Sequence, residues 1–446
     1  LTITNFYSTM YVDASSYDNL RKIASVADGL KNSGRKVLNT ILDKNIKTEV
    51  KVSRLKSTVS EYTEYLHGED NLSSVIVNMA RRFVGTNNLP LLREEGNFGK
   101  RFINEASADR YISTAGEKYL EYIFPKTDIG VLLKQEFEGN QIEPRFYVPI
   151  IPMILVNGSV NAISTGFAQN ILPRQVNGII KTVENFIDTG EIKIPNPGWK
   201  GFKGTVKQGS EKHKWIVNGK ISIINSTTID IVELPIGFNL KSYIGILNDL
   251  EDKNIITSYT DNCEGDIFNF RVRVSRKMTA LPEDEILKEL CLFGDPKSFS
   301  ENYTVMGADN RIMVKESPEK LFEEYAKIRL DFYNKRKIFL IEDTTKKIMN
   351  LASKYFFIKA VSEDKIIINK KKKEEIILQI DRFENIKQED GSYDYLLRMP
   401  LYALTKEKME ELKNEISELK NQLNEYKTKD EKKFWKEDLE LLKTKL

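Results

Sequence analysis

The spacing of apolar residues changes along this chain and divides it into three textures. From about residue 18 to 150 it predicts a mixed, helix-rich domain. There Asp18-Asn19-Leu20-Arg21 opens one helical signal, Val37 to Leu42 has the close-set apolar pattern of a buried helix face, and Leu72 to Ala80 places apolar residues three and four apart. Gly96 and Gly99, with the polar residues between them, mark loops ahead of Tyr111. From about 155 to 305, Ile221 to Val232 is rich in Ile and Thr and partly alternating, and Phe268 to Val274 alternates strictly. Both predict strands of an antiparallel sheet in an α+β domain. After Ser317 the chain turns helical, with Ser317 suited to the N-cap and Pro318 to the first helical position. Leu321, Tyr325, Ile328 and Phe332 share one helix face, and Met409, Leu412, Ile416, Leu419, Leu423 and Tyr426 form a heptad seam between Lys and Glu. These helices bracket a compact insert from about 353 to 404. The pattern fits an antiparallel helical stalk with a small head, and on periodicity alone fits two amphipathic helices of a bundle equally. The Lys370–Lys373 run reads as a solvated helix face.

Composition narrows the class without choosing a function. A chain of 446 residues has room for two or three domains and more than one core. With 40% hydrophobic and 30% charged residues it reads as a water-soluble protein. A net charge of +3 is too small to identify a nucleic-acid binder, so any DNA-binding face has to be built locally. Cys263 and Cys291 make neither a disulfide framework nor a zinc-type pair, which favours a reducing, intracellular setting. The longest apolar run, Phe146 to Val156, is interrupted by Pro149 and Pro152 and falls short of the roughly 20 residues a bilayer span needs. No membrane role is expected. The start at Leu1 rather than Met fits a trimmed chain or a piece of a longer one.

The chemistry-bearing residues concentrate near the N-terminus. Ala106-Ser107-Ala108-Asp109-Arg110-Tyr111 ends in an Arg-Tyr pair. Tyrosine suits a reversible transesterification of DNA, because its phenolate is a better leaving group than an alkoxide. With a phenol pKa of about 10 it needs cationic help to attack at neutral pH. Arg110 stands beside it, and Arg35 and His67 are further candidates for stabilising charge on a reacting phosphate.

Those residues belong to an ordered set: Arg21 to Leu38 with Asp28-Gly29-Leu30-Lys31 and Arg35-Lys36-Val37-Leu38 at its centre, then Leu66-His67-Gly68-Glu69, Phe83-Val84-Gly85, and the Arg110-Tyr111 segment. Pro149 to Gly158 and Ala162-Ile163-Ser164-Thr165-Gly166 follow, then Gly198 to Gly204 and Leu234-Pro235-Ile236-Gly237. From about residue 18 to the last helix, the set resembles the breakage-reunion region of type IIA DNA topoisomerases, the gyrase A and topoisomerase IV A-like proteins. Two prolines of the family pattern are replaced by Ala24 and Asn32, and a second histidine by Leu66, leaving His67 as base or phosphate ligand.

The resemblance implies an α+β multidomain protein: a winged-helix domain over 1–150 carrying the nucleophile, an antiparallel-sheet tower domain over 151–305, and over 306–446 a long antiparallel coiled-coil stalk with a C-gate head. It implies that Tyr111 forms a 5′-phosphotyrosyl bond, that Arg110 and Arg35 steady the phosphate with help from His67, and that Ile163 wedges between bases and bends the duplex. Lys31, Lys36, Arg81 and Arg82 are candidate DNA-positioning residues. Implied partners are double-stranded DNA, a second copy through the stalk, and an ATPase/Toprim subunit or domain supplying the Mg²⁺ site and ATP hydrolysis. Cys263-Glu264-Gly265-Asp266 resembles the Toprim Glu-Gly-Asp, but no Asp-x-Asp follows and it reads as a polar turn. The layout suits the short separate subunit of a bacteriophage-type enzyme, or an equivalent fragment of a longer chain, acting in the cytoplasm (the host's, if phage-encoded). The rival readings are a non-catalytic DNA-bending, architectural protein of the same fold and a structural coiled-coil assembly protein.

Overall fold

The computed structural model describes residues 2–294, 299–389, 391–400 and 404–446. The fold is α+β, with small antiparallel sheets and one long helix. The chain divides into two compact units, Leu1–Arg329 with Trp435–Leu446, and Leu330–Phe434, and the division falls within the 45-residue helix Pro318–Ser362. No helix among the described residues is long and apolar enough to cross a membrane.

In the first unit the helices Asn32–Asp43, Val52–Tyr62 and Asp70–Ala80 pack together, and the short strand Val50–Lys51 pairs antiparallel with Ser113–Thr114. Val37, Leu38, Ile41, Leu72 and Ile76, from the two stretches whose apolar spacing predicts a helix, are buried, and Leu55 and Val59 of the Val52–Tyr62 helix, which the sequence pattern does not single out, join their core. Two hairpins follow, Lys134–Phe137 with Asn140–Pro144 and Ser159–Ser164 with Phe167–Ile171. Farther along, a four-stranded antiparallel sheet runs in the spatial order Ser258–Asp261, Phe270–Arg273, Thr228–Glu233, Lys220–Asn225. Ile229, Ile231, Phe270 and Val272 of the sheet share a core with Tyr243 and Leu247 of the Leu240–Asp252 helix and Leu287 of the Glu283–Glu289 helix. The buried–exposed alternation along Phe270–Arg273 is the period-two signal seen in the sequence.

Three local expectations change. The signal at Asp18–Arg21 is the end of a helix, Val12–Lys22, not its beginning. Residues 3–11 ahead of it are already helical, and beyond Lys22 the backbone turns extended because Ser25 bridges to Met306. The Ile221 to Val232 stretch is two strands joined by a turn, since Ser226 and Thr227 interrupt the ladder. Of the Lys370–Lys373 run only Lys373 is helical, opening the Lys373–Ile380 helix; Lys370 sits in a turn at φ 60°. The Glu264–Asp266 segment is a tight polar turn, closed by reciprocal backbone bonds between Glu264 and Ile267.

In the second unit, Phe357, Ile366, Ile376, Ile380, Ile386, Tyr393 and Leu396 form a separate small core in the expected insert; residues 390 and 401–403 of that insert lie outside the described residues. The Lys406–Thr428 helix buries Leu412 and half-covers Met409, Ile416, Leu419, Leu423 and Tyr426. The long helix starts as its sequence predicts, with the Ser317 hydroxyl accepting from the Lys320 amide at 3.3 Å.

A buried ion pair pins the base of the second hairpin. Arg174 forks onto Glu301 at 2.7 and 2.8 Å, and the same carboxylate accepts from the Leu172 amide, the Trp215 indole and the Tyr303 hydroxyl at 2.9 to 3.0 Å. Arg174→Met leaves the buried Glu301 charge uncompensated and is expected to cost about 3–5 kcal/mol. A lowered urea midpoint measures it; an unchanged midpoint refutes the structural weight given to the pair.

Candidate active site

Tyr111 lies at the end of a turn, Asp109–Tyr111, whose neighbours fix it on both sides. The next residue, Ile112, is buried, its carbonyl accepts the Val52 amide at 3.0 Å, and Ser113–Thr114 is held by the strand pairing with Val50–Lys51. Before it, the Asp109 carboxylate takes Lys56 at 2.7 Å and the Ser73 hydroxyl at 3.0 Å, and the Asp109 carbonyl takes the Ser53 amide at 3.2 Å. The turn is therefore bolted to both the Val52–Tyr62 and the Asp70–Ala80 helices. The Lys56 hydrogen bond holds the Asp109 carboxyl below its ordinary range against an opposing effect of burial. Hydrogen bonds to Asp109 and Asp70 raise Lys56 in return.

Tyr111 is 66% exposed, so its phenol stands open to a large partner. The Arg110 guanidinium lies 5.0 Å from the ring centroid, and its side chain makes no hydrogen bond or ion pair among the described residues. A planar cation with its donors free, lying over the phenol ring, is suited to binding phosphate at that point.

The other predicted cations separate into two groups. Arg35 is buried and forks onto Asp28 at 2.7 and 3.2 Å, with a third bond to the Leu30 carbonyl. Lys36 is buried against Glu143 at 2.9 Å and the Thr63 carbonyl. Arg81 binds the carbonyls of Phe98 and Asn104, bracing the loop ahead of Tyr111, and Arg82 pairs with Glu117 at 2.8 Å and Glu94 at 3.5 Å. In this conformation all four guanidinium and ammonium groups have protein partners. Lys31 differs: half-buried at the N-cap of the Asn32–Asp43 helix, it has no side-chain partner among the described residues. Burial lowers its ammonium from the ordinary value.

His67 sits in a cavity of about 300 Å³ lined also by Tyr17, Arg21, Asn32, Tyr65 and Arg145; Arg110 and Tyr111 are not among its walls. The Nε2 of His67 is 3.0 Å from the Tyr17 hydroxyl. Burial first, then repulsion from Arg21, pushes the imidazole below its usual value, which favours its neutral form. Arg21 and Arg145, which have no ion pair among the described residues, and the unsatisfied buried Oδ1 of Asn32 lie in the wall of this cavity beside apolar side chains such as Leu20, Phe137 and Ile142. Sequence reasoning passed over Arg21 although it opens the motif that holds Asp28 and Arg35. Nothing in the sequence pointed to Arg145, which the Lys134–Phe137/Asn140–Pro144 hairpin brings round.

Ile163 is 74% exposed, next to the turn of the second hairpin, and Val160 and Phe167 on the same hairpin are also exposed. Among the described residues no three His, Cys, Asp or Glu side chains cluster as metal donors.

The geometry has close counterparts. Residues 21–440 match the family model that describes the A-type subunits of DNA gyrase/topoisomerase IV. The mitochondrial DNA topoisomerase 2 of Dictyostelium discoideum is 33% identical, covering 99% of this chain and 35% of its own length. DNA topoisomerase 2-alpha of Gallus gallus is 33% identical, covering 98% of this chain and 30% of its own. A crystal structure of the Plasmodium falciparum topoisomerase II DNA-binding, cleavage and re-ligation domain superposes with a TM-score of 0.89 at 30% identity, over 100% of this chain and 64% of that one. The chain spans about a third of the length of these curated relatives. With a match that runs from Arg21 almost to the last residue, the chain belongs to the family of DNA gyrase/topoisomerase IV A-type subunits.

Proposed function

We propose that this chain is the DNA breakage-and-rejoining part of a type IIA topoisomerase, with Tyr111 as its nucleophile. The observation that carries the reading is the Tyr111 turn: an exposed phenol, a free guanidinium against its ring, and a backbone bolted to two helices through Asp109.

In the proposed step the Tyr111 oxygen attacks a backbone phosphorus and forms a 5′-phosphotyrosyl bond. The 3′ oxygen of the neighbouring nucleotide leaves and takes up a proton. One phosphoester replaces another, so the exchange is nearly neutral in energy and reverses when the 3′ hydroxyl attacks in turn. Arg110 stabilises charge on the phosphate oxygens during both passages. Lys31, Arg21 and His67 supply further phosphate contacts, and Ile163 enters the base stack to bend the duplex. Mg²⁺, which would steady the non-bridging and leaving oxygens, and ATP belong to an ATPase/Toprim partner or domain.

The winged-helix, tower and coiled-coil-stalk divisions follow the same reading. So does a homodimer closed by the stalk, because a double-strand break needs one tyrosine for each strand. The architectural alternative keeps Ile163 and loses the covalent step. It is separated by trapping: with DNA, Mg²⁺ and a Toprim-bearing partner, denaturation is expected to leave this chain attached to DNA 5′ ends. Tyr111→Phe is expected to abolish the adduct while DNA affinity stays unchanged. An adduct that survives Tyr111→Phe overturns the assignment.

Asp109→Asn weakens the Lys56 clamp without touching the nucleophile. Misplacement of a reacting group by about 1 Å costs up to about 100-fold in rate, so single-turnover cleavage is expected to fall well beyond any change in DNA binding. Equal rates in the variant and the unmodified chain count against the clamp.

The depressed His67 value gives a pH test. A neutral imidazole persists below the free-histidine value of about 6.5. If it serves as base or acceptor, cleavage should hold from neutral pH down past that value and then decline as His67 takes a proton. The acid limb should vanish in His67→Asn, and a limb that remains assigns it to another group.

A further inference from the structure

The side chain of Ile163 is exposed, but the hairpin that carries it is not free to move. Two-stranded hairpins are marginal on their own, and an apolar side chain pushed between stacked bases meets resistance that a loose hairpin would yield to. The second hairpin is held on its opposite face. Across the ladder Ala162 faces Gln169 and Ile163 faces Ala168. Successive residues of a strand point to opposite sides, so Ala162 and Gln169 point inward, where both are buried, while Ile163 points out.

Gln169, 1% exposed, uses the whole hydrogen-bonding capacity of its amide. Its Oε1 accepts the Ala24 amide at 3.0 Å and the Ser159 hydroxyl at 2.7 Å, and its Nε2 donates to the Thr304 carbonyl at 2.7 Å and the Ala24 carbonyl at 3.3 Å. One side chain thus ties both hairpin strands to the extended segment after the Val12–Lys22 helix and to the Tyr303–Met306 strand. The turn is held separately. The Asp18 carboxylate accepts from the Thr165 amide at 2.9 Å and the Thr165 hydroxyl at 3.0 Å, and the Ser164 hydroxyl donates to Asn19.

We propose that Gln169 at the base and Asp18 at the turn are positioning residues for the wedge, fixing the hairpin so that Ile163 meets the base stack as a rigid point. This rests on the reading of Ile163 as a DNA wedge. It adds that bending depends on a buried amide that never touches DNA.

The test uses the full chain and a short linear duplex with a dye at each end, reading energy transfer at saturating protein and affinity by titration. Ile163→Ala is expected to lose the bend. Gln169→Met, close in volume but without donors or acceptors, is expected to lose more than half of the bending amplitude while affinity changes little, because phosphate contacts dominate affinity. Asp18→Ala, a surface change, is expected to reduce the amplitude in the same direction. Partial unfolding lowers the active fraction but leaves the amplitude at saturation intact, so the split between amplitude and affinity separates positioning from lost stability.

If Ile163→Ala bends DNA as well as the unmodified chain, the wedge reading fails. If Ile163→Ala loses the bend while Gln169→Met and Asp18→Ala keep it, the wedge stands and the positioning inference is overturned. Should Gln169→Met not fold, full amplitude in Asp18→Ala overturns the inference on its own.

Discussion

A carboxylate with no exposure to solvent, Asp28, dictates how the chain is threaded around the candidate site. Taking an ionised group out of water costs several kcal/mol unless its lone pairs are filled. Here they are filled from three directions: the Leu30 amide at 2.9 Å, the Arg35 guanidinium at 2.7 and 3.2 Å, and the Tyr147 amide at 3.0 Å. The start of the Asn32–Asp43 helix is thereby fixed against a segment more than a hundred residues away. Gly29 permits the closeness with a left-handed φ of 71°, and a Cβ there would lie 2.5 Å from the Ile154 nitrogen. The segment after Tyr147 passes the constraint on. The carbonyls of Val148, Pro149 and Ile150 take Arg329, Tyr325 and Trp435, which anchors the first turns of the long helix and the final helix to the same unit.

This explains which parts of the site were legible in the sequence. The Asp28-Gly29 pair, Arg35 and Lys36 stand out as a motif, and motifs of charged residues invite a ligand. In this fold Arg35 and Lys36 pair with Asp28 and Glu143, and both line the cavity that holds His67. Tyr111 and Ile163 were singled out by the motifs that hold them, and the structure leaves each side chain exposed, where burial would be the ordinary outcome for an aromatic or apolar residue. Asp109 was not legible: its partners Lys56 and Ser73 lie on separate helices, and only their packing makes the pair. Strand and helix periods located the Asn32–Asp43 and Asp70–Ala80 helices, the strands around Ile221 to Val232 and Phe270, and the two long C-terminal helices, but not the Val52–Tyr62 and Leu240–Asp252 helices or the helical stretch before Asp18. Ile3, Phe6, Tyr7, Met10 and Tyr11 are exposed there, so no buried face marks that helix.

The last turn of the Val12–Lys22 helix serves two neighbourhoods at once. Tyr17 and Arg21 turn toward His67 and its cavity, while Asp18 and Asn19 turn toward the wedge hairpin. Residues 17 and 21 are one helical step of four apart and share a face, with 18 and 19 displaced around the axis. A single turn therefore contacts both the cavity that holds His67 and the hairpin that carries Ile163.

The Tyr111 turn is held differently. Among the described residues, no hydrogen bond or ion pair joins the Lys56–Asp109–Ser73 clamp to the Asp18 or Gln169 clamps. Chemistry and bending are thus built as separate mechanical parts of one unit. Changes at sites that share no partner combine additively within a few tenths of a kcal/mol. Any stronger dependence of cleavage on the wedge must then pass through the substrate: the bent duplex, and not the protein interior, would bring the scissile phosphate onto the exposed Tyr111.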